Sequence, residues 1–372
     1  MTAAGDRRAP IVVIAGGGTG GHLYAGIAVA REFVARDART TVTFAGTAQG
    51  IEARVVPREG FGLDLIRSGG LKGKSIGALA RGLMLLPLSA LDAWRVLSRR
   101  TPDVVIGVGG YSSGPVVLLA ALRRIPTVLL EQNAVPGLTN RLLGPFVNAA
   151  AVSWDDTLPY FGRKGFVSGN PVRSQFFAIQ PSRRREGADD AARVLIFGGS
   201  QGAHAINVAA VAAAPRLAGA ATPPRITHQT GERDLAMVRE GYERAGLVAR
   251  VEPFLYEMDR EVNDADLVVC RAGASTLAEI TAAGRAAVLV PLPTATDDHQ
   301  RKNAAVLATR GAAEVIDQST LTGDRLAEVV LAMAADAERR QRMAAAARTL
   351  AKPGAAKAIV DRGLAIVSAG ER

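Results

Sequence analysis

Three observations predict an α/β chain built from two Rossmann-like, doubly wound parallel-sheet domains facing a cleft. Short β-branched runs alternate with alanine-rich helical stretches from end to end. Runs such as Ile11-Val12-Val13-Ile14 and Val194-Leu195-Ile196-Phe197 are apolar without alternation, as strands buried on both faces read. The pattern also restarts in mid-chain, where a second strand leads into a second glycine loop.

Taken in order, the first half carries predicted strands near Ile11–Ala15, Thr41–Ala45, Asp64–Arg67, Val104–Val108, Thr127–Leu130, Ala150–Ser153 and Phe166–Ser168. In the second half they fall near Val194–Phe197, Arg225–Gln229, Arg250–Pro253, Leu267–Cys270, Ala287–Val290 and Ala313–Ile316. Gln180 to Ala192 is rich in Arg, Asp, Gly and Pro without an apolar period, which places the linker region between about Asn170 and Arg193. The expected domains are 1–172 and 173–351. The last helix, near Ala355–Val367, can return with 352–372 to the first domain.

The 372 residues are 48% hydrophobic and 22% charged, which excludes a disordered or fibrous chain. A net charge of +10 favours nucleotides, polyanions or anionic lipid surfaces. Aromatics are only 5%, and no basic run is interleaved with them, so nucleic acid is not expected as a partner. The single cysteine, Cys270, permits no intrachain disulfide. Ile11–Ala15 is too short for a signal-peptide core. Leu83–Leu91 contains Pro87 and falls well short of the ~20 residues that span a bilayer. A cytosolic protein attached to a membrane surface is the expectation.

The first motif is Gly16-Gly17-Gly18-Thr19-Gly20-Gly21-His22, between a strand and a helix. Glycines allow close backbone approach, and the helix N-terminus suits a phosphate. The second strand ends Phe44-Ala45-Gly46-Thr47, without the acid that would hold a dinucleotide ribose. Near a positive dipole end the His22 ring favours its neutral form, which can accept a proton. His22 is thus a candidate general base, with a turn-capping role as the alternative. A second loop, Gly198-Gly199-Ser200-Gln201-Gly202-Ala203, offers backbone N–H groups, a hydroxyl and an amide to phosphate oxygens.

Four further segments close predicted strands: Gly109-Gly110-Tyr111-Ser112-Ser113-Gly114-Pro115, Glu131-Gln132-Asn133, Cys270-Arg271-Ala272-Gly273-Ala274-Ser275-Thr276 with Glu279, and Asp297-Asp298-His299-Gln300. Glu131 and Asn133 can bond sugar hydroxyls, or else cap the turn. Glu279 can hold a ribose diol through both carboxylate oxygens, or simply complement a helix N-terminus. Asp264-Ala265-Asp266 matches a metal-binding D-x-D pattern but precedes a strand, away from the expected ligand end. No obligatory metal and no cofactor are therefore expected, and helix dipoles with a cation such as Arg173 would stabilise a diphosphate leaving group.

These loops, together with Gly169-Asn170-Pro171-Val172-Arg173, occur in one order that closely resembles the MurG family, the peripheral-membrane N-acetylglucosaminyltransferases of peptidoglycan synthesis. The likeness runs from about Ile11 to Ala365. It implies a GT-B fold and inverting transfer of N-acetylglucosamine (GlcNAc) from UDP-GlcNAc. The implied acceptor is the 4-hydroxyl of muramic acid on undecaprenyl-pyrophosphoryl-MurNAc-pentapeptide (lipid I), and the product is lipid II. By motif, His22 and Glu131 would be catalytic, with His22 the first choice as base. Gly18, Thr19, Gly20, Gly21, Tyr111, Asn133 and Asn207 would bind the acceptor. Arg173, Ser200, Gln201, Gly202, Ala274, Ser275, Thr276, Glu279, His299 and Gln300 would bind the donor, and the backbone at Phe254 and Leu255 would read the uracil edge. Two departures stand out. Ala274-Ser275-Thr276 replaces the family's Ala-Leu-Thr, and His299-Gln300 stands where some members carry two glutamines. A lipid glucosyltransferase or a UDP-GlcNAc epimerase of the same fold is the alternative function.

The resemblance also implies the cytoplasmic face of the cell membrane as location and leaves room for cell-wall synthesis proteins as partners. Leu65 to Leu91 has no acid and carries Arg67, Lys72, Lys74 and Arg81, with Ile76, Leu79 and Leu83 at helical spacing. A basic rim around an apolar face suits an element lying on anionic inner-leaflet lipid.

Overall fold

The computed structural model describes residues 8–68, 76–177, 191–199 and 201–370, without the side chains of residues 76–84 and 296. Lys72, Lys74 and Ser200 lie outside the described residues, as do the side chains of Ile76, Leu79, Arg81 and Leu83. The chain divides into two compact units, Met1–Val172 with Lys352–Arg372, and Arg173–Ala351.

The first unit runs β1 (Ile11–Gly16), α1 (Gly20–Arg36), β2 (Thr41–Gly46), α2 (Glu52–Arg58), β3 (Gly62–Leu65), α3 (Ile76–Arg100), β4 (Val104–Gly109), α4 (Ser113–Leu122), β5 (Thr127–Glu131), α5 (Leu138–Leu143), β6 (Ala149–Val152) and β7 (Gly165–Val167). Its sheet has the order β3-β2-β1-β4-β5-β6-β7, and every pairing is parallel. β1 shows why its sequence is apolar throughout. Val12 and Ile14 join a core with Leu23, Ile27 and Phe33 of α1, while Val13 and Ala15 face Ala93, Val96 and Leu97 of α3 and Val116 and Val117 of α4. Gly26 brings α1 close to the sheet, since a Cβ there would lie 3.2 Å from Ile14 Cγ2 and 3.3 Å from Phe44 Cε1.

The second unit contains β8 (Arg193–Phe197), α6 (His204–Ala218), β9 (Arg225–Gln229), α7 (Leu235–Ala245), β10 (Ala249–Glu252), α8 (Met258–Asp264), β11 (Leu267–Cys270), α9 (Ala274–Ala283), β12 (Ala286–Leu289), α10 (His299–Thr309), β13 (Glu314–Val315), α11 (Gly323–Ala335) and α12 (Ala337–Thr349). Its sheet, also parallel, has the order β10-β9-β8-β11-β12-β13. Val194 and Ile196 of β8 share a core with Ile206 and Ala210 of α6 and Leu326 and Val330 of α11. The last helix, α13 (Ala355–Gly370), belongs to the first unit, where Ile359 and Val360 pack with β1 and α1.

One strand differs from the sequence reading. β3 spans Gly62–Leu65 rather than Asp64–Arg67. Asp64 is drawn inward to a salt bridge with Arg100 of α3 at 2.8 Å. Arg67 has left the sheet, and its backbone N and guanidinium bond Asp92 of α3 at 2.6–3.0 Å. Competition from these arginine–carboxylate pairs ends the ladder early.

Candidate functional site

In each sheet the strand order reverses beside a glycine loop. β1 has β2 on one side and β4 on the other, and β8 has β9 and β11. Such switch points leave a crevice at the carboxyl ends of the strands, where ligands bind in this architecture. The Gly16 loop follows β1, and the Gly198 loop follows β8.

In the first unit, Gly16, Gly17 and Gly18 have φ of 139°, 152° and 81°, a run of left-handed backbone suited to glycine. Thr19 is the N-cap of α1, and its Oγ1 lies 3.0 Å from His22 Nδ1. The His22 ring covers the end of β4, because a Cβ on Gly109 would sit 3.1 Å from Nε2. The ring is thereby held by a hydroxyl on one side and by backbone on the other. Tyr111 is exposed at the turn into α4.

Glu131 turns inward. It is 2% exposed, and its Oε1 accepts from the N and Nδ2 of Asn133 at 3.0 and 3.2 Å. Its Oε2 accepts from Gly137 N at 3.0 Å and Asn140 Nδ2 at 2.9 Å. Burial pushes its carboxyl above the ordinary value, against the pull of those donors. A carboxylate so enclosed organises the loop from Asn133 to Asn140.

The second unit holds the expected donor residues. Gly199 and Gly202 have φ of 94° and 73°. Gly202 N closes a turn on Gly199 O at 2.9 Å, and Gln229 Nε2 anchors the same carbonyl at 2.9 Å. Gln201 is exposed beside them. A Cβ on Gly202 would collide with the Thr230 carbonyl, so Gly202→Ala should displace this loop. We expect a lowered Tm, read by thermal melting beside wild type.

Asn207 is 1% exposed, and its amide is committed inward. Nδ2 donates to Thr230 O at 2.9 Å and Asp234 Oδ2 at 2.8 Å, and Oδ1 meets His228 Nε2 at 3.0 Å. His204, which sequence reasoning did not single out, pairs through Nδ1 with Asp234 Oδ2 at 3.0 Å.

Arg173 lies 4.0 Å from Glu279 and 5.1 Å over the Phe176 ring. Glu279 sits in the second turn of α9, whose first turn is Ala274, Ser275 and Thr276. Burial pushes its carboxyl up to about 7, with Arg173 pulling it down and Asp259 raising it further. Phe254 is exposed and Leu255 buried after β10. Asp297 and Asp298 both adopt φ of 55° just before His299 and Gln300, and Gln300 Oε1 accepts from Leu292 N at 3.0 Å. Asp264 ends α8 and Asp266 binds Arg193 N at 2.9 Å, at the starting end of β11 and thus opposite the loops.

Sequence reasoning also missed Glu52. It is fully buried and accepts from Gly18 N, Thr47 N and Thr47 Oγ1, each at 2.9 Å. The available signal was an acid surrounded by Gly46, Gly50 and the Gly16 loop, but nothing local joins residues 34 apart.

Comparison with known proteins agrees with this arrangement. The glycosyltransferase family 28 N-terminal domain matches residues 12–152, and the family 28 C-terminal domain matches 193–359. A UDP-N-acetylglucosamine--N-acetylmuramyl-(pentapeptide) pyrophosphoryl-undecaprenol N-acetylglucosamine transferase from Anaeromyxobacter sp. (strain K) is 49% identical, across 94% of this chain and 91% of the relative. The protein of the same name from Myxococcus xanthus is 46% identical over the same shares. The crystal structure of Acinetobacter baumannii MurG superposes with a TM-score of 0.77 at 32% identity, covering 95% of this chain and 98% of that one. The chain belongs to the MurG family. A Neisseria meningitidis UDP-GlcNAc 2-epimerase, at 15% identity and a TM-score of 0.64, shares the fold alone. Membership in the MurG family accounts for two glycine loops at two switch points.

Proposed function

We propose that this protein transfers GlcNAc from UDP-GlcNAc to the muramic acid 4-hydroxyl of lipid I, yielding lipid II and UDP with inversion at the anomeric carbon. The observation that carries the reading is His22, held by Thr19 at the N-terminus of α1 directly after the first glycine loop. The first turn of α1 would meet the lipid diphosphate, with Tyr111 and Asn133 nearby along the sugar. In the second unit Arg173 would meet the donor diphosphate, Glu279 the ribose, and Gln300 the GlcNAc hydroxyls. Ser200 and Gln201 would complete the phosphate contacts. His22 Nε2 takes the proton of the acceptor hydroxyl as its oxygen bonds the anomeric carbon. The bond from that carbon to the diphosphate oxygen breaks on the opposite face, and UDP leaves with the electron pair. Helix N-termini and Arg173 stabilise the charge that develops there. The experiment is UDP release from UDP-GlcNAc with and without a short-chain lipid I analogue. Release strictly dependent on lipid I supports the reading. Conversion of UDP-GlcNAc without an acceptor would replace it with an epimerase.

The acceptor's lipid anchor calls for a membrane-facing surface on the first unit. Leu86, Leu91 and Trp94 of α3 and Leu118 and Leu122 of α4 are exposed, with Arg123 and Arg124 immediately following. Apolar side chains beside cations are what an anionic lipid surface binds. Reversing Lys72, Lys74 and Arg81 to Glu should weaken binding to phosphatidylglycerol liposomes by at least ~tenfold in a flotation assay, at ~1 kcal/mol per cation removed. No helix among the described residues is long and apolar enough to cross a membrane.

A further inference from the structure

The geometry points to Glu52 as a positioning residue for the first glycine loop: its buried carboxylate sets the turn between β1 and α1 and takes the Gly18 N–H for itself. The acceptor consequence rests on the function proposed above.

The carboxylate lies at the start of α2, beneath the loop between β1 and α1. Gly18 N donates to Oε2, and Thr47 N and Oγ1 donate to Oε1. Gly17, Gly46 and Gly50 surround it so closely that a Cβ on any of the three would press into the Glu52 side chain. A side chain at any of these glycines would have to displace the Glu52 side chain. Gly17 N also turns back into the fold, toward Gly109 O at 3.4 Å. Burial pushes the Glu52 carboxyl up, but the Gly18 and Thr47 donors pull it down further, leaving it below its ordinary value. It is ionised at neutral pH.

A buried negative charge beside an anion site makes the idea testable by sign. If charge alone mattered, removing it would favour a diphosphate. If the carboxylate holds the turn, removing it lets the loop slacken and weakens acceptor binding. Full-length protein carrying Glu52→Gln keeps the volume of the side chain but replaces one acceptor oxygen with a donor. Thr47→Val is the milder variant, removing one of the three hydrogen bonds.

Amide hydrogen exchange and steady-state kinetics with separately varied lipid I analogue and UDP-GlcNAc read the result. We expect exchange across residues 16–22 to quicken at least ~tenfold in Glu52→Gln and less in Thr47→Val, with peptides of β8 and α6 unchanged. Acceptor KM should rise at least ~tenfold, with donor KM within about twofold of wild type. Unchanged exchange in the loop, a lowered acceptor KM, or an equal rise in both KM values overturns the assignment. Quickened loop exchange in a protein whose wild type shows no lipid I-dependent UDP release upholds the clamp and removes the acceptor function instead.

Discussion

His22→Ala is expected to lower kcat by about 10²–10⁴-fold, the range for a lost general base, while UDP-GlcNAc affinity stays within about twofold. The ring stands between Thr19 Oγ1, 3.0 Å from Nδ1, and the Gly109 backbone. With the proton on Nδ1, the threonine oxygen accepts it, and Nε2 is then the basic nitrogen of the ring. Thr19→Val removes that orientation and should cost less, about tenfold, because the ring itself remains. Donor binding is unaffected in this scheme because the donor residues belong to the second unit. Single-turnover rates with calorimetric UDP-GlcNAc affinities check both. Near-normal turnover in His22→Ala would end its role as base.

Glu279→Gln is expected to change donor binding and stability in opposite directions. Burial raises the carboxyl of Glu279 to about 7 in the free protein, so its protonation changes across the neutral range. A ribose diol donates hydrogen bonds and prefers the ionised form. UDP affinity should therefore rise with pH through about 7 and fall ~fivefold between pH 7 and pH 6, approaching tenfold per unit below that. In Glu279→Gln, affinity should be weaker at pH 8 by at least ~tenfold and flat across this window. Stability runs the other way. Folding raises this carboxyl above its ordinary 4.5, so its contribution is greatest below pH 4.5 and is lost as pH rises to about 7. The loss is on the order of 3 kcal/mol, at about 1.36 kcal/mol per pKa unit. Glu279→Gln should accordingly raise Tm at pH 8 even as it weakens UDP. Calorimetric titration at three pH values, with thermal melts beside it, tests the pair.

Much of this was legible because strands buried on both faces leave a strong mark. Val104–Val108 and Leu267–Cys270 could hardly be anything else, and a glycine-rich turn between strand and helix announces a switch point. β3 was misplaced because its end is decided by Asp92 and the arginines of α3, which local pattern does not contain. The sites show the same division. Strand-end polar residues mark a neighbourhood, but not the direction in which each side chain points. Glu131 and Asn207, both expected to meet substrate, also make buried hydrogen bonds to Asn140 and Asp234 that no local pattern foretells. The Glu52–Gly18 contact and the His204–Asp234 pair escaped notice because each joins residues thirty or more apart in sequence.

The path of the chain has a practical consequence. The first unit closes only after residue 352, so the second is inserted within it at a single locus. Gly169 and the Lys352 side chain touch there, with no room for a Cβ on the glycine. Entry and exit strands thus run side by side, and a cassette cut at these two points could be exchanged for a homologous one through neighbouring splices.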